Sequence, residues 1–141
     1  MIIAVDFDGT IVKHEYPRIG KEIPFAIDTL KRLQKSPEYQ LILWTVRQGV
    51  ELQEAVDYCK NRGLEFYAVN SNYPEEQAEY KEPRKLKADL FIDDRNLGGL
   101  PDWGVIYRMI TSGKYLEPVT DEIESEYEIP RKGFLKSLFG I

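Results

Sequence analysis

Three short apolar runs in this 141-residue chain end in groups able to do nucleophilic, acid–base or metal chemistry. Ile2–Val5 runs into Asp6-Phe7-Asp8-Gly9-Thr10, Gln40–Trp44 closes on Thr45, and Leu90–Ile92 runs into Asp93-Asp94. Where such runs are strands of one parallel sheet, their carboxyl ends share a rim, and ligands bind there. The spacing therefore predicts an acidic pocket carrying one hydroxyl. Four carboxylates on one rim repel each other unless a cation sits among them. No histidine or cysteine accompanies them, so the cation is expected to be a hard divalent ion bound through oxygen, hence Mg²⁺. An ion held by a few carboxylates keeps positions for water and phosphate. Phosphoryl transfer, which needs charge neutralisation and an in-line nucleophile, is the natural reaction. Asp6 and Asp8, two apart in extended backbone, are expected on one side of the chain. One can attack phosphorus while the other moves protons at the leaving oxygen, and Gly9 lets the chain turn sharply beside them.

The elements that must position these groups follow from the apolar pattern. Ile2–Val5, Gln40–Trp44, Leu64–Val69 and Leu90–Ile92 read as buried strands. A helix is predicted from near Pro24, with Ile27 and Leu30 inward and Pro37 beyond its end, and another from about Gln48 to Arg62, with Gly63 as its terminator. Asn70–Arg84 reads as a loop with at most a short helix, and Pro101-Asp102-Trp103 opens a further helix. Unbroken apolar strands separated by helices indicate a parallel sheet covered on both faces.

On these residues the chain resembles the haloacid dehalogenase superfamily. Asp6–Thr10 matches its D-x-D-G-T signature, Leu41–Thr45 its second signature and Ile92-Asp93-Asp94 its fourth, in the same order over most of residues 1–110. The resemblance implies an α/β fold, a Rossmann-like three-layer sandwich with a mainly parallel central sheet. It implies that Asp6 becomes an aspartyl-phosphate and that Asp8 is the general acid/base, which favours a phosphatase over a dehalogenase. It further implies that Thr45 holds a phosphoryl oxygen, that Asp93 ligates Mg²⁺ beside Asp6 and the Asp8 carbonyl, and that Asp94 is a second or water-mediated ligand. The third signature is a basic residue before the last acidic strand. Lys85 and Lys87 both qualify, and Lys85-Leu86-Lys87-Ala88-Asp89 favours Lys85 by its similarity to a K-P-x-A-D stretch in some relatives. Neither interval that could carry a cap domain has room for one, so the fold is expected to be capless.

Other residues have weaker chemical roles. Arg47 and Arg95 follow the second and fourth signatures and could fork onto a phosphate or substrate anion; salt bridges to the surrounding acids are the competing reading. His14, the single histidine, lies in the loop after the nucleophile and could assist a leaving group, although an exposed loop histidine is the simpler reading. Cys59 falls on the apolar face of its helix and reads as inert core. A single cysteine excludes an internal disulfide framework and any Cys-rich zinc site. The net charge of −5 argues against duplex nucleic acid, and no apolar run approaches the roughly 20 residues of a membrane span.

The expected organisation is a catalytic domain over 1–115 and a C-terminal extension over 116–141, partly ordered or docking, in a cytoplasmic protein. The resulting expectation is a Mg²⁺-dependent phosphomonoester phosphatase that takes a phosphorylated substrate, with a homo-oligomer left open. The rivals are a receiver-like phosphoacceptor module and, within the same superfamily, a phosphatase of polynucleotide ends. A receiver carries its phosphorylated Asp after the third strand, where this chain has Asn70.

Overall fold

The computed structural model describes residues 1–78 and 86–117. The β-branched and leucine-rich runs form four strands: β1 (Ile2–Val5), β2 (Gln40–Leu43), β3 (Ala68–Val69) and β4 (Leu90–Ile92). They pair in the order β3-β2-β1-β4, and every pairing is parallel. The register aligns Ile3 with Leu41 and Leu90, and Val5 with Leu43 and Ile92, so the strand ends are level. This is an α/β fold with Rossmann-like strand order, as the apolar runs predict.

Alternation sends Ile3, Val5, Leu41 and Leu43 to one face of the sheet and Ala4, Ile42 and Ala68 to the other. The second face is closed by Leu86, with Ile2, Trp44, Ala88 and Phe91 packed around it. Helix α1 (Ala26–Gln34) packs against β2 and buries Ala26, Ile27, Leu30 and Leu33, one stripe at helical spacing. Helix α2 (Gly49–Asn61) buries Ala55 and Cys59, one turn apart, and ends at Gly63, whose φ of +83° favours glycine. Each fully buried Leu or Ile contributes about 1.5–3 kcal/mol, so these stripes outweigh any single polar contact in the fold.

Two expectations about elements are refined. The third strand is shorter than Leu64–Val69, because the Leu64 N–H goes to the Cys59 carbonyl and so belongs to the end of α2. The 70–84 loop does contain a short helix, a 3₁₀ turn at Pro74–Ala78.

The chain divides into two compact units, Met1–Leu100 and Pro101–Ile141. The second unit contains α3 (Trp103–Ser112), capped by Asp102, whose carboxylate accepts from the Gly104 N–H at 2.8 Å. Val105, Met109 and Tyr115 pack together there, and Trp103 is buried. The acidic run and apolar-basic tail of the expected 116–141 extension lie outside the described residues. Among the described residues no helix is long and apolar enough to cross a membrane. The interval from Asp6 to Thr45 holds a loop and α1, and the described part of the next holds α2, β3 and the 3₁₀ turn, with no folded cap in either.

Candidate metal and phosphoryl-transfer site

The strand order places a switch point beside β1. The chain moves outward from β1 to β2 and β3, then returns to the other side of β1 for β4. A crevice opens outside the carboxyl ends at such a point. Asp6 continues β1 by one residue, its N–H donating to the Ile92 carbonyl at 2.9 Å, which sets it beside Asp93.

Carboxylate oxygens of Asp6, Asp93 and Asp94 all lie within 4.8 Å of one another. Thr10, with no solvent exposure, knits two of them together. Its hydroxyl lies 3.0 Å from Asp6 Oδ2 and 3.3 Å from Asp94 Oδ1, and it accepts from the Asp94 N–H at 3.0 Å. Asp93 Oδ1 accepts from the Arg95 N–H at 2.9 Å, which holds the turn that carries both acids. Burial pushes the Asp6 carboxyl up to about 7, and the charge of Asp93 and a hydrogen bond with Asp94 add to the rise against a lowering by Thr10. Such a carboxyl is desolvated and stands beside two further acids. Three hard oxygen donors in that state fit a divalent cation such as Mg²⁺.

Asp8 does not join this cluster through its side chain. Its Oδ2 accepts from Arg47 Nε at 2.7 Å and its Oδ1 from Arg47 Nη2 at 2.8 Å. Arg47 is completely buried, and its remaining N–H groups go to main-chain carbonyls: Nη1 to Pro17 at 3.0 Å and Glu51 at 3.3 Å, Nη2 to Arg18 at 2.9 Å. The rings of Phe7 and Tyr16 lie 5.2 and 5.1 Å from the guanidinium carbon. The hydrogen bond with Asp8 raises Arg47 above its ordinary value. The expectation that Arg47 forks onto a substrate anion is therefore corrected. A guanidinium has five N–H donors, and all five are committed inside the protein, as a buried charge requires.

Thr45 lies two residues beyond the end of β2, one step past the position level with Asp6, and its N–H donates to Asn70 Oδ1 at 2.8 Å. Its Oγ1 accepts from the Arg47 N–H at 3.1 Å. Asn70 follows β3 with φ of +53°, and its own N–H donates to the Leu43 carbonyl at 2.8 Å. His14 and Arg95 are exposed on the loops after β1 and β4. Lys85 lies outside the described residues. Lys87 lines a groove of about 410 Å³ with Tyr73, Ile2 and Gln40, the last two being the residues that open β1 and β2. Asp6 and Thr45 follow the opposite ends of those strands.

The residue types alone assigned no role to Thr10 or Asn70. The signal for Thr10 was its place inside the acidic pentapeptide. For Asn70 it was a polar group ending the third apolar run, as Asp6 and Thr45 end the first two.

A solved structure, that of a conserved protein coded by a locus from Bacteroides thetaiotaomicron, is 65% identical to this chain. The match covers 80% of this chain and 91% of that one, with a TM-score of 0.74. The chain belongs to the same family as that protein. No family model matches the chain, and no curated protein does.

Proposed function

We propose that this chain, in the family it shares with the Bacteroides protein, is a Mg²⁺-dependent phosphomonoester phosphatase of the haloacid dehalogenase type, working in the cytoplasm through an aspartyl-phosphate on Asp6. The observation that carries the reading is the convergence of Asp6, Asp93 and Asp94 oxygens within 4.8 Å at the switch point of a parallel sheet. These three side chains, with the Asp8 carbonyl, would hold the ion, which would offset the charge of a phosphate and of the transition state.

The chain's own residues divide the reaction between them. An Asp6 oxygen forms a bond to phosphorus as the bond from phosphorus to the ester oxygen breaks. Asp8 gives a proton to that departing oxygen and then takes one from the water that attacks the aspartyl-phosphate. The Asp6–phosphorus bond then breaks, inorganic phosphate leaves and Asp6 is regenerated. Thr45, whose hydroxyl oxygen accepts from Arg47, has its hydrogen to offer a phosphoryl oxygen. Thr10 holds Asp6 and Asp94 in mutual register.

Release of phosphate from 4-nitrophenyl phosphate and a panel of biological phosphomonoesters, with Mg²⁺ and with EDTA, tests the reading. Steady Mg²⁺-dependent turnover, abolished in Asp6→Asn and strongly reduced in Asp93→Asn, is the expected result. Transfer that stops after one phosphoryl group would favour the receiver-like module. Full activity in metal-free buffer would remove the metal from the mechanism.

A further inference from the structure

Arg47 grips Asp8 at both oxygens, at 2.7 and 2.8 Å. A short carboxylate held in that way cannot rotate without breaking a hydrogen bond, so the fork sets the direction in which Asp8 presents its free lone pairs. The same guanidinium takes the carbonyls of Pro17 and Arg18, at 3.0 and 2.9 Å, and carries the Tyr16 ring over its face. These residues belong to an exposed loop, residues 14–18, whose neck is closed by the Lys13 N–H on the Lys21 carbonyl at 2.8 Å. One buried side chain thus joins the proton-transfer group to a surface loop just beyond the nucleophile.

Resting on the phosphatase reading above, we propose that Arg47 is a positioning residue. It aims Asp8 at the leaving-group oxygen and makes that aim depend on the 14–18 loop. Contact of the leaving group with the loop and proton transfer to that group are then set by one guanidinium. When Asp6 attacks phosphorus, the electron pair of the breaking bond moves to the leaving oxygen. An alkoxide needs the Asp8 proton at that moment, whereas 4-nitrophenolate is a weak base and departs without it. A misdirected Asp8 therefore penalises alkyl esters and spares aryl esters. A general loss of structure penalises both.

The test compares kcat/KM, which reports the steps up to leaving-group departure, for butyl phosphate and 4-nitrophenyl phosphate. Arg47→Lys keeps the charge and loses the fork. It is expected to lower kcat/KM about tenfold or more on the alkyl ester and less than about threefold on the aryl ester, part of the 10²–10⁴ that a proton-transfer group supplies. An equal fall on both esters overturns the proposal, since a substrate-binding or purely structural arginine would produce it. Where Arg47→Lys fails to fold by circular dichroism, Tyr16→Ala decides, because Tyr16 is half exposed and its loss leaves the core intact. It is expected to show the same skew at smaller size, and no skew overturns the proposal. A native protein that turns over neither ester with Mg²⁺ fails the phosphatase reading itself and takes the proposal with it. An active native protein with unskewed variants fails the proposal alone.

Discussion

Gly9 and Asp94 touch across the switch point: a Cβ built on Gly9 would stand 2.2 Å from Asp94 Oδ2 and 2.6 Å from its carboxyl carbon. Gly9 also has φ of +88°, a conformation that side chains disfavour. Both facts point the same way, since any side chain at position 9 strains the turn and drives Asp94 from the cluster. Gly9→Ala is expected to weaken Mg²⁺ binding, measured by isothermal titration calorimetry, by at least tenfold and to reduce phosphatase activity in parallel. Unchanged affinity would show that Asp94 takes no part in holding the ion.

Thr10 predicts a different signature. Its hydroxyl bridges Asp6 and Asp94 from a fully buried position, so Thr10→Val keeps the shape and removes both contacts. Losing a hydrogen bond to a charged group costs about 1.5–3 kcal/mol, and here the loss also frees two carboxylates to repel. The variant is expected to melt at lower temperature, to bind Mg²⁺ more weakly and to turn over more slowly. Wild-type melting in metal-free buffer would contradict this.

The pH dependence of the metal-free protein has a defined sign. Folding raises Asp6 from an ordinary 3.8 to about 7, mainly by burial. Between those values the folded state binds more protons than the unfolded state, so this group's contribution to stability is full below about pH 4 and is lost as pH rises through 7. The metal-free protein is expected to lose melting temperature from pH 5 to pH 8 by a component absent in Asp6→Asn. Mg²⁺ bound to these acids would take over the proton's role, so its stabilising effect is expected to be larger at pH 8 than at pH 5. The opposite trend would mean that folding does not raise Asp6.

The acidic rim was legible in the residues because a buried strand that ends in a carboxylate has few places to put it. Asp6, Thr45 and Asp93 each close an apolar run, and level register brings their strand ends together. The role of Arg47 was not legible. A fork donor two residues after Thr45 reads alike whether it faces a substrate or an acid, and its partner Asp8 lies 39 residues away. The start of β3 was blurred for a local reason. Leu64 is apolar because it closes the end of α2, and the apolar pattern does not separate that from a strand.

Cys59 offers a check on the core that is independent of catalysis. It has no exposure, and burial pushes its thiol up to about 12. A buried neutral thiol is a poor nucleophile. Reaction with 5,5′-dithiobis(2-nitrobenzoate) at pH 8 is expected only when the protein opens, so its rate should follow denaturant unfolding. Rapid labelling of the folded protein would show that α2 is not packed as described.

The last prediction concerns substrate shape at a site over which the described residues place no folded cap. Val46 and Leu97 are 86% and 106% exposed, on the loops that follow β2 and β4, and β1 with Asp6 lies between those strands. Val50, at the start of α2, is 71% exposed. Exposed aliphatic groups on both sides of an acidic crevice favour a phosphate ester with an apolar body, because contact with them removes apolar area from water at about 25 cal/mol per Å². Small polar esters gain nothing there and are held loosely, which forfeits the rate that positioning supplies. Across a size-graded panel, kcat/KM is therefore expected to rise with the apolar area of the leaving group. Val46→Ser combined with Leu97→Ser should flatten that rise and leave the smallest ester unchanged. His14→Ala, on the exposed loop after β1, should alter the ranking of polar leaving groups only. One small polar ester turned over with high kcat/KM by a proven monomer, and unaffected by these substitutions, would show that recognition comes from elsewhere.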